Sequence, residues 1–204
     1  MPLFKHVEIK PNTFLVIWKI TESEIYLNKG LNNFNQYSSK LNKLKGQSQR
    51  RQFLSILQLL QLKNLSFEDL KYNKSGKPEL DNNFISITHS FDYSGIILSD
   101  RKVGIDIEKL RPSILKISKK FINQHEINLI GELSIENLTK VWTIKEAIFK
   151  AFGFSGIDFK KNIIIESINT GFQKANVKIN KNNKVEYYDV EIISFSQYIC
   201  SIAI

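Results

Sequence analysis

The sequence predicts an α+β fold made of two similar halves, each a helix packed on a small antiparallel sheet. Three observations lead there. Short β-rich runs are separated by turn signals, two long stretches carry apolar residues at helical spacing, and the order of elements repeats: strand, helix, strands, then helix, helix, strands. The halves are expected at residues 1–102 and 103–204, with no residue-level repeat between them.

FLVIWKI, residues 14–20, reads as a strand; residues 31–46 are polar and mixed and read as a loop or weak helix. From Gln47 to Leu62 the positions Phe53, Ile56, Leu57 and Leu60 recur at helical spacing, and Leu54 and Leu59 widen the stripe, which predicts a well-buried helix. NKSGKP, residues 73–78, is a turn. Phe84–Thr88 and Ser94–Ser99 form a hairpin around Phe91-Asp92-Tyr93. Asp100-Arg101-Lys102 turns into the strand VGIDIE, residues 103–108. Pro112 fits a helix start, with Ile114, Leu115, Ile117 and Phe121 as its apolar side. A longer helix runs from Ile135 to Phe152 and is ended by Gly153. The β-like runs NIIIESI, ANVKI, YYDVEIISF and YICSIAI follow.

The chain has 204 residues, 42% of them apolar and 24% charged, an ordinary globular composition. Its net charge of +9 and isoelectric point near 9.5 imply an acidic partner: nucleic acid, anionic lipid, a phosphorylated ligand or an acidic protein. The single cysteine, Cys200, lies in an apolar run and reads as buried and inert. One cysteine excludes an internal disulfide and fits a reducing cytosol. Neither a signal peptide nor a run of about 20 apolar residues is evident, so a cytoplasmic protein without membrane association is expected.

VGIDIE carries the first chemical signal. At period two, Val103, Ile105 and Ile107 share one face and Gly104, Asp106 and Glu108 the other. At roughly 6 Å and an effective dielectric of about 20, like charges repel by about 3 kcal/mol. Water or a cation must relieve that cost. The second signal is WTIKEAIFKAFG, residues 142–153. Val141, Ile144, Ile148 and Ala151 form its apolar stripe; Trp142, Glu146 and Lys150 fall on the opposite side, with Lys145 on the flank. A Glu–Lys pair at i, i+4 is commonly a solvated surface pair worth a few tenths of a kcal/mol. Taken with VGIDIE, however, it completes an oxygen-rich set suited to Mg²⁺, which takes one or two carboxylates, waters and substrate phosphate. Mn²⁺ accepts the same oxygen ligands.

VGIDIE followed by WTIKEAIFK resembles the paired signature of the 4′-phosphopantetheinyl transferases, which prime carrier proteins from coenzyme A. The length resembles the longer, surfactin-synthetase-activating type, in which two α+β halves form a pseudo-dimer within one chain. Gly76-Lys77-Pro78 and Thr88-His89-Ser90 are similar to two further motifs of that family. The resemblance implies that Asp106, Glu108 and Glu146 hold Mg²⁺ against the coenzyme A pyrophosphate. It implies that Lys145 and Lys150 contact the phosphates, with Lys150 steadying the departing 3′,5′-ADP. Glu146, directly or through water, would take the proton of the acceptor serine, which belongs to the carrier. His89 and Arg51 would hold the 3′-phosphate, with Arg50 an alternative to Arg51 and Lys40, Lys43 and Lys45 as further candidates. Lys77, Pro78 and Thr88 would line the adenosine site. An acidic acyl or peptidyl carrier protein would dock on ILKISKKFINQHE through Lys116, Lys119, Lys120 and Phe121. The family expectation is a monomer.

Two other readings remain open. A basic nucleic-acid-binding module accounts for the charge but shows no helix-turn-helix or ribonucleoprotein motif, and acids on a binding face repel phosphate. A catalytically silent paralogue would bind coenzyme A or a carrier without turnover, although all three carboxylates and both lysines are intact. His6 and His125 have no evident partners and read as surface residues. No Cys/His spacing points to zinc, and no Walker-type or G-x-G-x-x-G loop is present.

Overall fold

The computed structural model describes residues 2–204 and has an α+β architecture. Contacts between Cα atoms divide the chain into two compact units, Met1–Arg101 and Lys102–Ile204.

The first unit starts with an antiparallel pair, β1 (Leu3–Lys10) and β2 (Thr13–Lys19). Three helices follow: α1 (Glu24–Lys29), α2 (Phe34–Lys43) and α3 (Gln47–Leu62). A two-residue ribbon, β3 (Lys71–Tyr72) and β4 (Pro78–Glu79), leads into the hairpin β5 (Phe84–Ser90) and β6 (Tyr93–Ser99). The main sheet has the order β1-β2-β6-β5, antiparallel throughout. Helix α3 lies on β2 and β6. Leu54, Leu57 and Leu60 pack with Val16, Trp18, Ile85, Ile96 and Leu98. A buried hydroxyl pair, Ser55 Oγ to Ser94 Oγ at 2.8 Å, pins α3 to β6.

Residues 34–43 form a ten-residue helix because Tyr37 and Leu41, one turn apart, both enter this core. The hairpin turn is Phe91-Asp92, and Phe91 takes a left-handed φ of 50°. The Gln52 side-chain amide donates to the Phe91 carbonyl at 3.1 Å and holds the turn against α3.

The second unit opens with β7 (Gly104–Lys109), then α4 (Ser113–Ile117) and one 3₁₀ turn at Ser118–Lys120. Next come α5 (Gln124–Ile130) and α6 (Ile135–Phe152). The strands β8 (Ile163–Ile168), β9 (Lys174–Lys181), β10 (Lys184–Phe195) and β11 (Tyr198–Ala203) complete it. The sheet is antiparallel in the order β7-β11-β10-β9-β8, so β7 pairs with β11. Ser134 caps the start of α6 by accepting from Asn137 N, and Gly153, at φ 78°, closes its end. Val141, Ile144, Ala147, Ile148 and Ala151 form its core stripe over the sheet, all at 0% exposure.

Glycine at 104 sets how closely α6 approaches β7. A Cβ there would stand 1.9 Å from the Ala147 carbonyl oxygen and 2.8 Å from Ala151 N, both backbone atoms that no rotamer can move aside. The face of β7 that carries Gly104, Asp106 and Glu108 is therefore the face turned to α6. Thr143 Oγ1 and Ser201 Oγ, 2.7 Å apart and buried, hold the helix to the neighbouring strand β11. Gly104→Ala is expected to destabilise the protein toward the upper end of roughly 1–3 kcal/mol, the range for forced overpacking. Urea unfolding measures it, and a midpoint equal to wild type would contradict the close approach.

Candidate active site

Three carboxylates and one ammonium group lie where β7 meets α6, near enough for Asp106, Glu108 and Lys150 each to act on the Glu146 carboxyl. Lys150 Nζ donates to Asp106 Oδ1 at 2.7 Å and to the Ile105 carbonyl at 3.0 Å. Asp106 is 6% exposed. Glu146 lies one helical turn before Lys150 on the same side of α6. Burial lifts its carboxyl from the ordinary 4.5 to about 7, the charges of Asp106 and Glu108 add to the rise, and Lys150 opposes it. Glu108 is half-buried, 3.7 Å from the Arg111 guanidinium. A cavity of about 110 Å³ opens beside Glu108 between Ile114, Ile117, Thr139 and Trp142.

This donor set suits a hard divalent cation. All the donors are carboxylate oxygens, and they are crowded enough that the charges of two raise the proton affinity of the third. Among the described residues, no three of His, Cys, Asp and Glu already stand together as a metal cluster. The Lys150 ammonium forms an ion pair with Asp106 at 2.7 Å.

Lys145 overturns one expectation. It does not lie on an open flank: the residue is 0% exposed. Its Nζ donates to the carbonyls of Phe121 at 2.7 Å, Ile163 at 2.8 Å and Phe159 at 2.9 Å, and to Glu126 at 2.8 Å. Burial lowers its pKa, while the Glu126 charge opposes the drop. A phosphate cannot reach this ammonium. Its role is to tie α6 to Phe121 after the 3₁₀ turn, to the first turn of α5, and to Phe159 and the first residue of β8.

Glu126 is the partner that pattern reading misses. Its Oε1 accepts from Ile165 N and its Oε2 from Asn123 N, while Asn123 Oδ1 accepts from Glu126 N. Asn123-x-x-Glu126 is a capping box, a signal present in the sequence.

The expected docking segment is corrected in the same way. Phe121 is 1% exposed and meets Trp142 edge-on, with ring centroids 5.1 Å apart. Its ring belongs to the core and offers no surface to a partner. Lys116, Lys119 and Lys120 are exposed.

In the first unit, Asn73 Oδ1 accepts from Ser75 N and Lys77 N, and Gly76 has φ 77°, so Lys77 and Pro78 leave a tight turn at the start of β4. Strand β4 lies next to β5. Thr88 is buried and His89 exposed on β5. His89 and Lys40 line one cavity of about 280 Å³ together with Gln52, Phe53 and Tyr72. Arg50 donates to Glu24 and to the Leu41 carbonyl, so its charge is compensated. Arg51 donates to the carbonyls of Ile20 and Glu22, neutral acceptors that leave its charge in place. His6 and His125 are exposed, and Cys200 is buried.

The sequence model of the 4′-phosphopantetheinyl transferase superfamily matches residues 102–203, all but the last residue of this carboxylate-bearing unit. The chain belongs to that superfamily. It is 29% identical over 150 residues to a 4′-phosphopantetheinyl transferase of Aneurinibacillus migulanus, covering 70% of this chain and 62% of that protein. It is 28% identical over 94 residues to the 4′-phosphopantetheinyl transferase Sfp of Bacillus subtilis, covering 44% of this chain and 42% of that protein. The chain thus spans less than two thirds of the length of these transferase relatives.

Two outcomes are expected. Lys145→Met removes one partner of a fully buried ion pair and is expected to cost about 3–5 kcal/mol of stability; a wild-type unfolding midpoint would contradict the burial. The second concerns Glu146. Its folded pKa, about 7, lies above the ordinary 4.5, so it contributes stability that is fully present below pH 4.5 and is lost as pH rises through 7. Glu146→Gln is therefore expected to exceed wild type in chelator-treated samples at pH 8 by up to about 3 kcal/mol, with the difference gone by pH 4. Denaturant titrations at the two pH values test this; a gain independent of pH would refute it.

Proposed function

We propose that this chain transfers 4′-phosphopantetheine from coenzyme A to a serine of an apo carrier protein, releasing 3′,5′-ADP, as a long-type member of its superfamily. The observation that carries the reading is the convergence of Asp106, Glu108 and Glu146, with Lys150 beside them, in the unit matched by the family.

In this reading the serine Oγ attacks the β-phosphorus of coenzyme A. The new P–O bond joins serine to the phosphopantetheine, and the bond to the α-phosphate breaks. Glu146 takes the serine proton directly or through a water. Lys150 meets the charge that builds on the departing 3′,5′-ADP. Asp106, Glu108 and Glu146 would hold Mg²⁺ or Mn²⁺. A bound divalent cation supplies charge neutralisation on the pyrophosphate. His89 and Arg51, with Lys40, would receive the 3′-phosphate; Lys77, Pro78 and Thr88 would line the adenosine. An acidic carrier would meet Lys116, Lys119 and Lys120. The two halves, 1–102 and 103–204, are proposed as the related halves of a pseudo-dimer acting as a cytoplasmic monomer.

The test is intact mass spectrometry of an apo acyl carrier protein and an apo peptidyl carrier domain, each incubated with this protein, coenzyme A and Mg²⁺. The expected result is a gain of one phosphopantetheine on at least one carrier, lost with chelator. Asp106→Ala and Glu146→Ala are expected to slow the gain by at least about 100-fold with the circular dichroism spectrum retained. No gain on either carrier, together with no binding of coenzyme A, would overturn the proposal.

A further inference from the structure

We infer that Lys150 is an exchangeable counter-ion of Asp106: the ammonium and a divalent cation compete for one carboxylate, so tight metal binding waits for the anion that draws Lys150 away, the diphosphate of the coenzyme. The inference rests on the function proposed above and adds an order to it.

Asp106 is nearly out of water, and burying a carboxylate charge is costly unless a cation stands beside it. Lys150 supplies one, with Nζ anchored on Asp106 Oδ1 at 2.7 Å and on the Ile105 carbonyl at 3.0 Å. A divalent ion on the same carboxylate would adjoin that ammonium, and like charges inside a protein repel strongly at short range.

The lysine is also built to move. Its side chain is 27% exposed, three times the 9% of the Asp106 side chain, so its stem has open space on one side. A lysine head is a compact charge on a flexible four-carbon stem, free to trade one set of acceptors for another. Nor can the other lysine of this stretch replace it, because Lys145 is buried and bound to Glu126 and three carbonyls.

Leaving Asp106 is unfavourable for Lys150 unless both charges find new partners. A divalent ion must reach Asp106 and a polyanion must reach Lys150. Each ligand therefore favours the other, and the coupling is reciprocal. Metal alone must displace the ammonium unaided, and the polyanion alone must draw Lys150 off the Asp106 carboxylate.

Mn²⁺ is the probe, followed by electron paramagnetic resonance on the full chain with and without coenzyme A. Wild type is expected to bind Mn²⁺ weakly alone and about tenfold or more tightly with coenzyme A, a coupling within the usual span between sites. Lys150→Gln keeps a hydrogen-bond donor and loses the charge. It is expected to bind Mn²⁺ alone about tenfold more tightly than wild type and to gain less from coenzyme A. Lys150→Arg, whose forked guanidinium grips a carboxylate more firmly, is expected to bind Mn²⁺ alone more weakly than wild type. Should Lys150→Gln fail the circular dichroism check for folding, the arginine variant decides alone.

Unchanged Mn²⁺ affinity in the folded variants would overturn the exchange and leave the transferase reading standing. If Asp106→Asn binds Mn²⁺ as wild type does with coenzyme A present, the metal assignment falls, and the exchange falls with it.

Discussion

One buried ammonium organises the second unit. Lys145 stands on α6, yet its four acceptors come from Phe121 just after the 3₁₀ turn, from Glu126 on α5, from Phe159 and from Ile163 at the start of β8. A charge in that position is tolerable only because every donor is used and Glu126 balances it. The arrangement restrains the helix against rotation about its own axis. Rotating α6 by one residue, about 100°, would swing Lys145 out of its cage and carry Glu146 and Lys150 away from β7. The orientation of Glu146 and Lys150 toward β7 is thus fixed by a residue with no access to solvent.

On the other side of the helix the electrostatics run the opposite way. Asp106, Glu108 and Glu146 crowd like charges together, and Lys150 only partly offsets them. For Glu146, burial and its acidic neighbours make the charged form unfavourable. The close approach allowed by Gly104 brings the groups together, and the apolar stripe from Val141 to Ala151 secures the helix that holds two of them. Core packing supports a strained arrangement of charge, which is the usual physical sign of a working site.

Much of this was legible in the residues. The helices at 47–62 and 135–152, the hairpin and the four C-terminal strands follow from apolar spacing and turn chemistry, and the alternation in VGIDIE places both acids on one face. Three things resisted. Strand β1 is an edge strand whose half-buried face carries Lys5 among Leu3, Val7 and Ile9, which breaks the apolar alternation. Helices α1 and α5 are six and seven residues long, too short for a periodic signal. Most tellingly, Lys145 and Phe121 were misplaced because a helical wheel assigns polarity outward and a basic segment invites a surface reading. Neither rule anticipates a lysine caged by carbonyls or an aromatic ring turned onto Trp142. The capping box at Asn123–Glu126 marked the partner, but no local pattern says which distant cation a buried acid will meet.

The strand order has a consequence in time. Strand β7, which carries Asp106 and Glu108, pairs with β11, and Asp106 stands opposite Ser201. Almost the entire second unit is synthesised between those two partners. A nascent chain emerging from a ribosome therefore cannot seat β7 in its sheet until residues 198–203 have cleared the exit, however early VGIDIE itself appears. Pairings of such long sequence separation form late and slowly. While β7 waits, Ile105 and Ile107, with Val103 just before them, form an unpaired apolar edge. That makes the carboxylate strand the segment of this unit most dependent on protection during synthesis.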